Sequence, residues 1–176
     1  MNMSLVKKAL LVGALALTVC ANSAWAGGKA MKVGDPLPDL KTFGLTGTLP
    51  ADLNGKVILL DFWASWCGPC KESFPVMEDL HKKYGEKGLV ILAVNVDEDA
   101  GAMQDFLKAH PVTFPIVHDA TKQLVGTANI SSMPTSFVFG TDGKVVSIHK
   151  GFHGKDTVKQ YEAEVEKLLA TVVAKK

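Results

Sequence analysis

The 176-residue chain contains no arginine; all 19 of its basic residues are lysine. Without the planar guanidinium fork that grips phosphate or carboxylate bidentately, and with 19 basic residues against 18 acidic ones, nothing in the composition draws the chain to nucleic acid. Cysteine is scarce as well, three residues in all, too few for a disulfide scaffold or a four-thiolate zinc site. There is no internal repeat and no low-complexity stretch. What remains, 47% hydrophobic and 21% charged residues, is the composition of one ordinary globular domain.

Residues 1–26 stand apart from that domain. Lys7 and Lys8 precede an uncharged apolar run from Ala9 to Val19, and Ala24-Trp25-Ala26 offers the small residues of a cleavage site. This pattern predicts a signal peptide over 1–26 and a single domain over 27–176, exported to the periplasm and not stably inserted in the membrane after cleavage. Two alternatives stay open. An uncleaved anchor would want about 20 apolar residues, and Asn22 and Ser23 interrupt the run early. Lipidation at Cys20, within Leu17-Thr18-Val19-Cys20, would want a small residue where Val19 stands. Cleavage after Ala26 removes Lys7 and Lys8 and no acid, so 17 lysines face 18 acids and the net charge becomes −1. It also removes Cys20, leaving Cys67 and Cys70 as the only thiols.

Those two cysteines lie in Trp66-Cys67-Gly68-Pro69-Cys70, directly after the apolar run Val57-Ile58-Leu59-Leu60-Asp61-Phe62-Trp63. A strand feeding a turn that opens a helix puts Cys67 at the helix N-terminus, where unpaired N–H groups and the helix dipole favour a thiolate. Cys70 then lies one helical turn on, close enough to close a disulfide and to resolve a mixed one. A zinc site would need two further ligands at suitable spacing, and c-type haem attachment would need a histidine where Lys71 stands.

The rest of the chain reads as alternating strands and helices. Leu40 to Leu49 predicts a small N-terminal hairpin or edge extension, and Lys56 to Trp63 a central strand buried on both faces. Helix follows from Gly68 to Tyr84, strand from Leu89 to Val96, an amphipathic helix from Ala100 to Ala109, and strand from Phe114 to Val117. A short helix at Thr121 to Gly126 leads to an antiparallel hairpin, Thr135 to Phe139 with Val145 to Lys150, and Lys155 to Val173 closes the chain as a helix. The expected class is α/β, with helices flanking a central mixed sheet. Asp61, an acid inside the central strand, should have a raised pKa because ionising it there is expensive.

The run Phe62-Trp63-Ala64-Ser65-Trp66-Cys67-Gly68-Pro69-Cys70-Lys71-Glu72-Ser73-Phe74-Pro75 resembles the TlpA-like and ResA-like (DsbE-type) branch of the thioredoxin superfamily. Val94-Asn95-Val96-Asp97-Glu98-Asp99, Phe114 to Asp119, Met133 to Phe139 and Asp142-Gly143-Lys144 continue the likeness in the same order, over roughly residues 33 to 170. The resemblance implies a thioredoxin fold with an N-terminal β extension and a central βα insertion.

Further site residues follow from that resemblance. Asp61, six residues before Cys67, would accept the proton of Cys70. Thioredoxins carry a lysine near this acid, and Ala93 stands at that position here. An X–Pro bond is trans by default, but the resemblance implies a cis bond between Met133 and Pro134, packed against the cysteines, with the backbone of Met133 free to pair with an extended substrate segment. Trp66, Gly68 and Pro69 would line the substrate surface, Trp63 would pack beneath it, and Gly151 would leave room for a partner chain. No role falls to the five histidines.

The implied activity is reduction of protein disulfides by the Cys67–Cys70 dithiol, with no metal and no further cofactor. The partners would be a protein substrate carrying a disulfide or thiol pair, and a membrane thiol donor that re-reduces the enzyme. ResA-like proteins of cytochrome c maturation share an acid three residues after the second cysteine. Here that residue is Ser73, and its neighbour Glu72 is turned away by about 100° on a helix, so apocytochrome c is one client among several. Disulfide oxidation or isomerisation would use the same residues at another potential. A copper metallochaperone of this fold would space its cysteines by three and add a distal histidine, and a peroxidase would need Thr-x-x-Cys; the chain has neither arrangement.

Overall fold

A computed structural model describes residues 30–173. The expected leader, including Cys20, lies outside them. Six strands form one sheet in the order β1-β4-β3-β2-β5-β6, where β1 is Thr46–Gly47, β2 Val57–Trp63, β3 Leu89–Asn95, β4 Ile116–His118, β5 Thr135–Phe139 and β6 Val145–Lys150. Four α-helices join and flank them: α1 Gly68–Tyr84, α2 Ala100–Ala109, α3 Gln123–Ala128 and α4 Lys155–Val173. β2 runs parallel to β3 and antiparallel to β5, and β3 runs parallel to β4. This is the mixed sheet expected from the sequence, on a thioredoxin fold.

All seven residues of β2 are buried, which its unbroken apolar character requires of a strand covered on both faces. Side chains alternate, so Phe62 meets Phe137 edge-on on one face, centroids 6.0 Å apart. On the other face Trp63 meets Phe74 of α1 at 4.6 Å and Phe106 of α2 at 4.7 Å. Phe74 and Phe106 close the triangle at 4.9 Å. Such aromatic contacts each contribute about 0.5–1.5 kcal/mol beyond area burial, and they explain why Phe106 is the buried residue of α2.

The N-terminal hairpin does not form. Leu40–Phe43 is instead a single 3₁₀ turn, capped by the Asp39 carboxylate on the Lys41 N–H and ended by Gly44 at φ 61°. The two-residue β1 then pairs with β4, not with an N-terminal neighbour. The edge extension survives in another form, because the N-terminal segment meets both sides of the sheet, pairing with β4 and with the first residue of β6. β1 lies along β4, while Gly34, Asp35 and Leu37 bond to Val145 and Gly143 beside β6 at 2.8–2.9 Å. Covering edge N–H and C=O groups removes sites for unwanted strand pairing. Gly47 is required in β1: at φ 110° a Cβ would sit 2.7 Å from the Ile116 carbonyl oxygen.

Smaller differences have local causes. β4 begins at Ile116 and not at Phe114, since Pro115 has no N–H to give the ladder and joins only through its carbonyl, bonded to Ala93 N at 3.0 Å. α3 begins at Gln123 because Asp119 takes the N–H groups of Gln123 and Val125 at 3.1 and 2.8 Å.

Replacing Phe106 by alanine empties one corner of the aromatic triangle. The expected cost is about 3–5 kcal/mol, read as a lower urea midpoint.

Candidate active site

The C-terminal end of β2 feeds a short turn, Ala64 to Cys67, closed by Cys67 N–H on the Ala64 carbonyl at 3.1 Å. Cys67 is the N-cap of α1, in extended conformation at φ −82° and ψ 107°, and its sulfur accepts the Cys70 N–H at 3.2 Å. That hydrogen bond answers one of the orphan donors of the first helical turn. Pro69, in the first turn, has no N–H to leave unsatisfied. Cys67 and Cys70 are joined in a disulfide with Cα atoms 5.3 Å apart. Both are buried, while Gly68, Pro69 and Trp66 face solvent, Trp66 with 70% of its surface exposed.

The turn is braced from β3. The buried Asp97 carboxylate accepts the Ser65 N–H at 3.0 and 3.1 Å and the Ser65 hydroxyl at 3.1 Å. Asn95 holds Asp97 in place, donating from its amide at 2.8 Å and accepting the Asp97 N–H at 3.0 Å. The residue before Trp66 is thereby tied to the neighbouring strand.

Register places the other expected residues at the same end of the sheet. Phe62 pairs with Thr135, so Met133 and Pro134 lie beside the turn that leaves β2. The Met133–Pro134 bond is cis. Pro134 is buried and Met133 half-buried. Gly151, at φ 78°, donates its N–H to the Pro134 carbonyl at 2.8 Å, joining the end of β6 to the same corner.

Asp61 is fully enclosed, and burial pushes its carboxyl from the ordinary 3.8 up to about 7, against a smaller opposing pull from a Ser136 hydrogen bond. Its neighbour across β3 is Ala93, so no lysine offsets the burial from that side. Glu72 is exposed and Ser73 buried. The Ser73 hydroxyl donates to the Cys70 carbonyl at 3.0 Å.

Sequence reasoning passed over Ser65, Asp97, Ser136 and Tyr161. A polar residue inside the otherwise apolar run of β5 was the available signal for Ser136. Tyr161 is indistinguishable from core on its helical face until its partner is seen. Among the described residues no group of three or more His, Cys, Asp or Glu is placed to hold a metal ion, and no helix is long and apolar enough to cross a membrane.

The Redoxin family pattern matches residues 32–165. The chain is 34% identical over 161 residues to a thiol-disulfide oxidoreductase ResA of Bacillus cereus, covering 90% of this chain and 91% of the relative. It is 33% identical over 157 residues to ResA of Bacillus subtilis, covering 85% and 88%. Among solved structures, a Chlorobium tepidum protein described as a thiol:disulfide interchange protein DsbE is 38% identical with a TM-score of 0.73, covering 80% of this chain and 99% of that one. StoA from Bacillus subtilis is 28% identical with a TM-score of 0.54, covering 62% and 84%.

The raised pKa of Asp61 links stability to pH. The unfolded chain ionises this group above about 4, the folded one only above about 7, so between those values the folded state holds the extra proton and stability falls as pH rises. The span corresponds to on the order of 4 kcal/mol. Asp61→Asn should therefore gain on the wild type by up to that amount between pH 4 and pH 8, measured by urea titration of the oxidised proteins. A difference independent of pH would contradict the shift.

Proposed function

The chain belongs to the Redoxin family and is a thiol-disulfide oxidoreductase, and from that premise we propose that it reduces protein disulfides in the periplasm. The observation that carries the thiol-disulfide chemistry is the N-cap position of Cys67, whose sulfur already receives the Cys70 N–H; the direction rests on the residues between the cysteines. In the reduced protein the same donor and the positive end of α1 favour a thiolate on Cys67. Stabilising the thiolate alone would favour an oxidant. The Gly68-Pro69 pair between the cysteines, similar to that of reducing thioredoxins, supports the reductase direction.

The Cys67 thiolate attacks an accessible substrate disulfide, the S–S bond breaks, and one substrate sulfur leaves as a thiolate that takes a proton from water while the other stays bonded to Cys67. The extended substrate lies along the backbone of Met133, beside Pro134 and Gly151, with Trp66 covering it. Asp61 takes the proton of Cys70, the Cys70 thiolate attacks Cys67, and the second substrate thiol is released as the Cys67–Cys70 disulfide closes. A buried carboxyl near pH 7 is suited to take and return a proton. In an oxidising compartment the two electrons must be restored from outside, by a membrane thiol donor. Residues 1–26 act as the export signal, and apocytochrome c or another assembly client is the substrate.

The equilibrium potential of the Cys67–Cys70 pair, measured in thiol buffers on residues 27–176, tests the direction. A value near thioredoxin's −270 mV or so supports a reductase, whereas one near about −120 mV makes the protein a disulfide donor. Division of labour between the cysteines is tested by trapping. Cys70→Ser should accumulate a stable mixed disulfide on Cys67, seen by intact-mass spectrometry, while Cys67→Ser should form none at comparable rate.

A further inference from the structure

The two oxygens of the Asp61 carboxyl are in different situations. Oδ1 accepts a hydrogen bond from the Ser136 hydroxyl at 2.5 Å, whereas Oδ2 is buried without a partner. Ser136 Oγ also lies 2.7 Å from Tyr161 Oη. Ser136 faces Asp61 because the two are paired in the β2–β5 register, and Tyr161 is a buried residue of α4.

The direction of this chain follows from its chemistry. An ionised carboxylate only accepts, so the single serine proton goes to Asp61 and the tyrosine must donate to the serine. Tyr161 can always do so: burial, then the charges of Asp61 and Glu164, hold its phenol protonated. The titratable groups that face the chain are Tyr161 and Glu164 on α4 and His149 on β6, the register partner of Ser136; Cys70 of α1 enters as a thiol only when its disulfide is open. His149 packs edge-on against the Tyr161 ring at 4.9 Å and bonds Glu164 at 3.0 Å. Burial opposes ionisation of Glu164, but the His149 and Ser147 hydrogen bonds outweigh it. β3 contributes only Ala93.

We propose that Ser136 and Tyr161 are positioning residues for the proton transfer, holding Oδ1 as a permanent acceptor so that Oδ2 takes the Cys70 proton and returns it, which rests on the proposed role of Asp61. In the step concerned, the Cys70 S–H bond breaks and its proton goes to Asp61. The Cys70 sulfur forms a bond to Cys67, the bond between Cys67 and the substrate sulfur breaks, and its electron pair leaves with the substrate thiolate. Neither hydroxyl changes its own protonation. Their effect is to favour the charged carboxyl and to keep its free oxygen turned one way, so Asp61 is ionised at a lower pH than burial alone would allow.

The test is the pH profile of the resolving step, using the reduced protein and an aromatic disulfide reagent whose coloured thiolate is released in two phases. The second phase reports attack by Cys70. Ser136→Ala should move the midpoint of that phase upward by about one pH unit, making it about tenfold slower below the midpoint and rejoining the wild type in alkali. Tyr161→Phe should move it the same way by less, and Ser136→Thr, which keeps the hydroxyl, should restore the wild-type profile. Profiles of Ser136→Ala and Tyr161→Phe that coincide with the wild type, while Asp61→Asn is slow, would overturn this role and leave that of Asp61 intact. An Asp61→Asn profile identical to the wild type would overturn both. A slowing equal at every pH and not rescued by threonine would mark Ser136 as packing only.

Discussion

A strand with no face open to water has to satisfy every polar group it carries from inside the protein, and β2 is such a strand. Its backbone bonds are taken by β3 and β5. Of its two side chains with polar atoms, Trp63 leaves its indole N–H without a partner and Asp61 has a single hydroxyl for one, and desolvation dominates at Asp61. Had a lysine stood at Ala93, the pair would have shared the cost of burial. Without it, the carboxyl holds its proton to about pH 7. The fold thus carries a destabilising group at its centre.

The same strand delivers the cysteines. Because β2 ends at Trp63 and α1 starts at Gly68, four residues must turn the chain and leave Cys67 at the helix cap. Two supports hold that turn. Beneath it, Trp63 is locked among Phe74 and Phe106, and at its side Asp97 fixes Ser65. Between these anchors Trp66 is left to solvent, the largest exposed apolar side chain among the described residues.

Much of this was legible in the residues because the periods were clear. α1, α2, β5, β6 and α4 fall where apolar spacing and turn residues put them, since each pattern had a length and a boundary of its own. The N-terminal segment was not legible. Leu40 to Leu49 has weak alternation around Gly44 and Gly47, compatible with a hairpin, and what decided its form was a distant partner, β4, offering a free edge. The start of β4 turned on the missing N–H of Pro115, and the start of α3 on Asp119, local details that periodicity does not weigh.

At the site the division is similar. The spacing of Cys67 and Cys70, the strand before them and the burial of Asp61 are properties of a short continuous stretch, so the sequence by itself determined the redox pair, its place at a helix N-terminus and the raised proton affinity of the acid. The hydrogen-bond partners there come from residues 32 and 75 positions away, Asp97 for Ser65 and Ser136 for Asp61, with Tyr161 behind Ser136. Only the tertiary structure decided these, because strand register and the packing of α4 choose which hydroxyl meets which carboxylate, and neither is written in any local run of the chain.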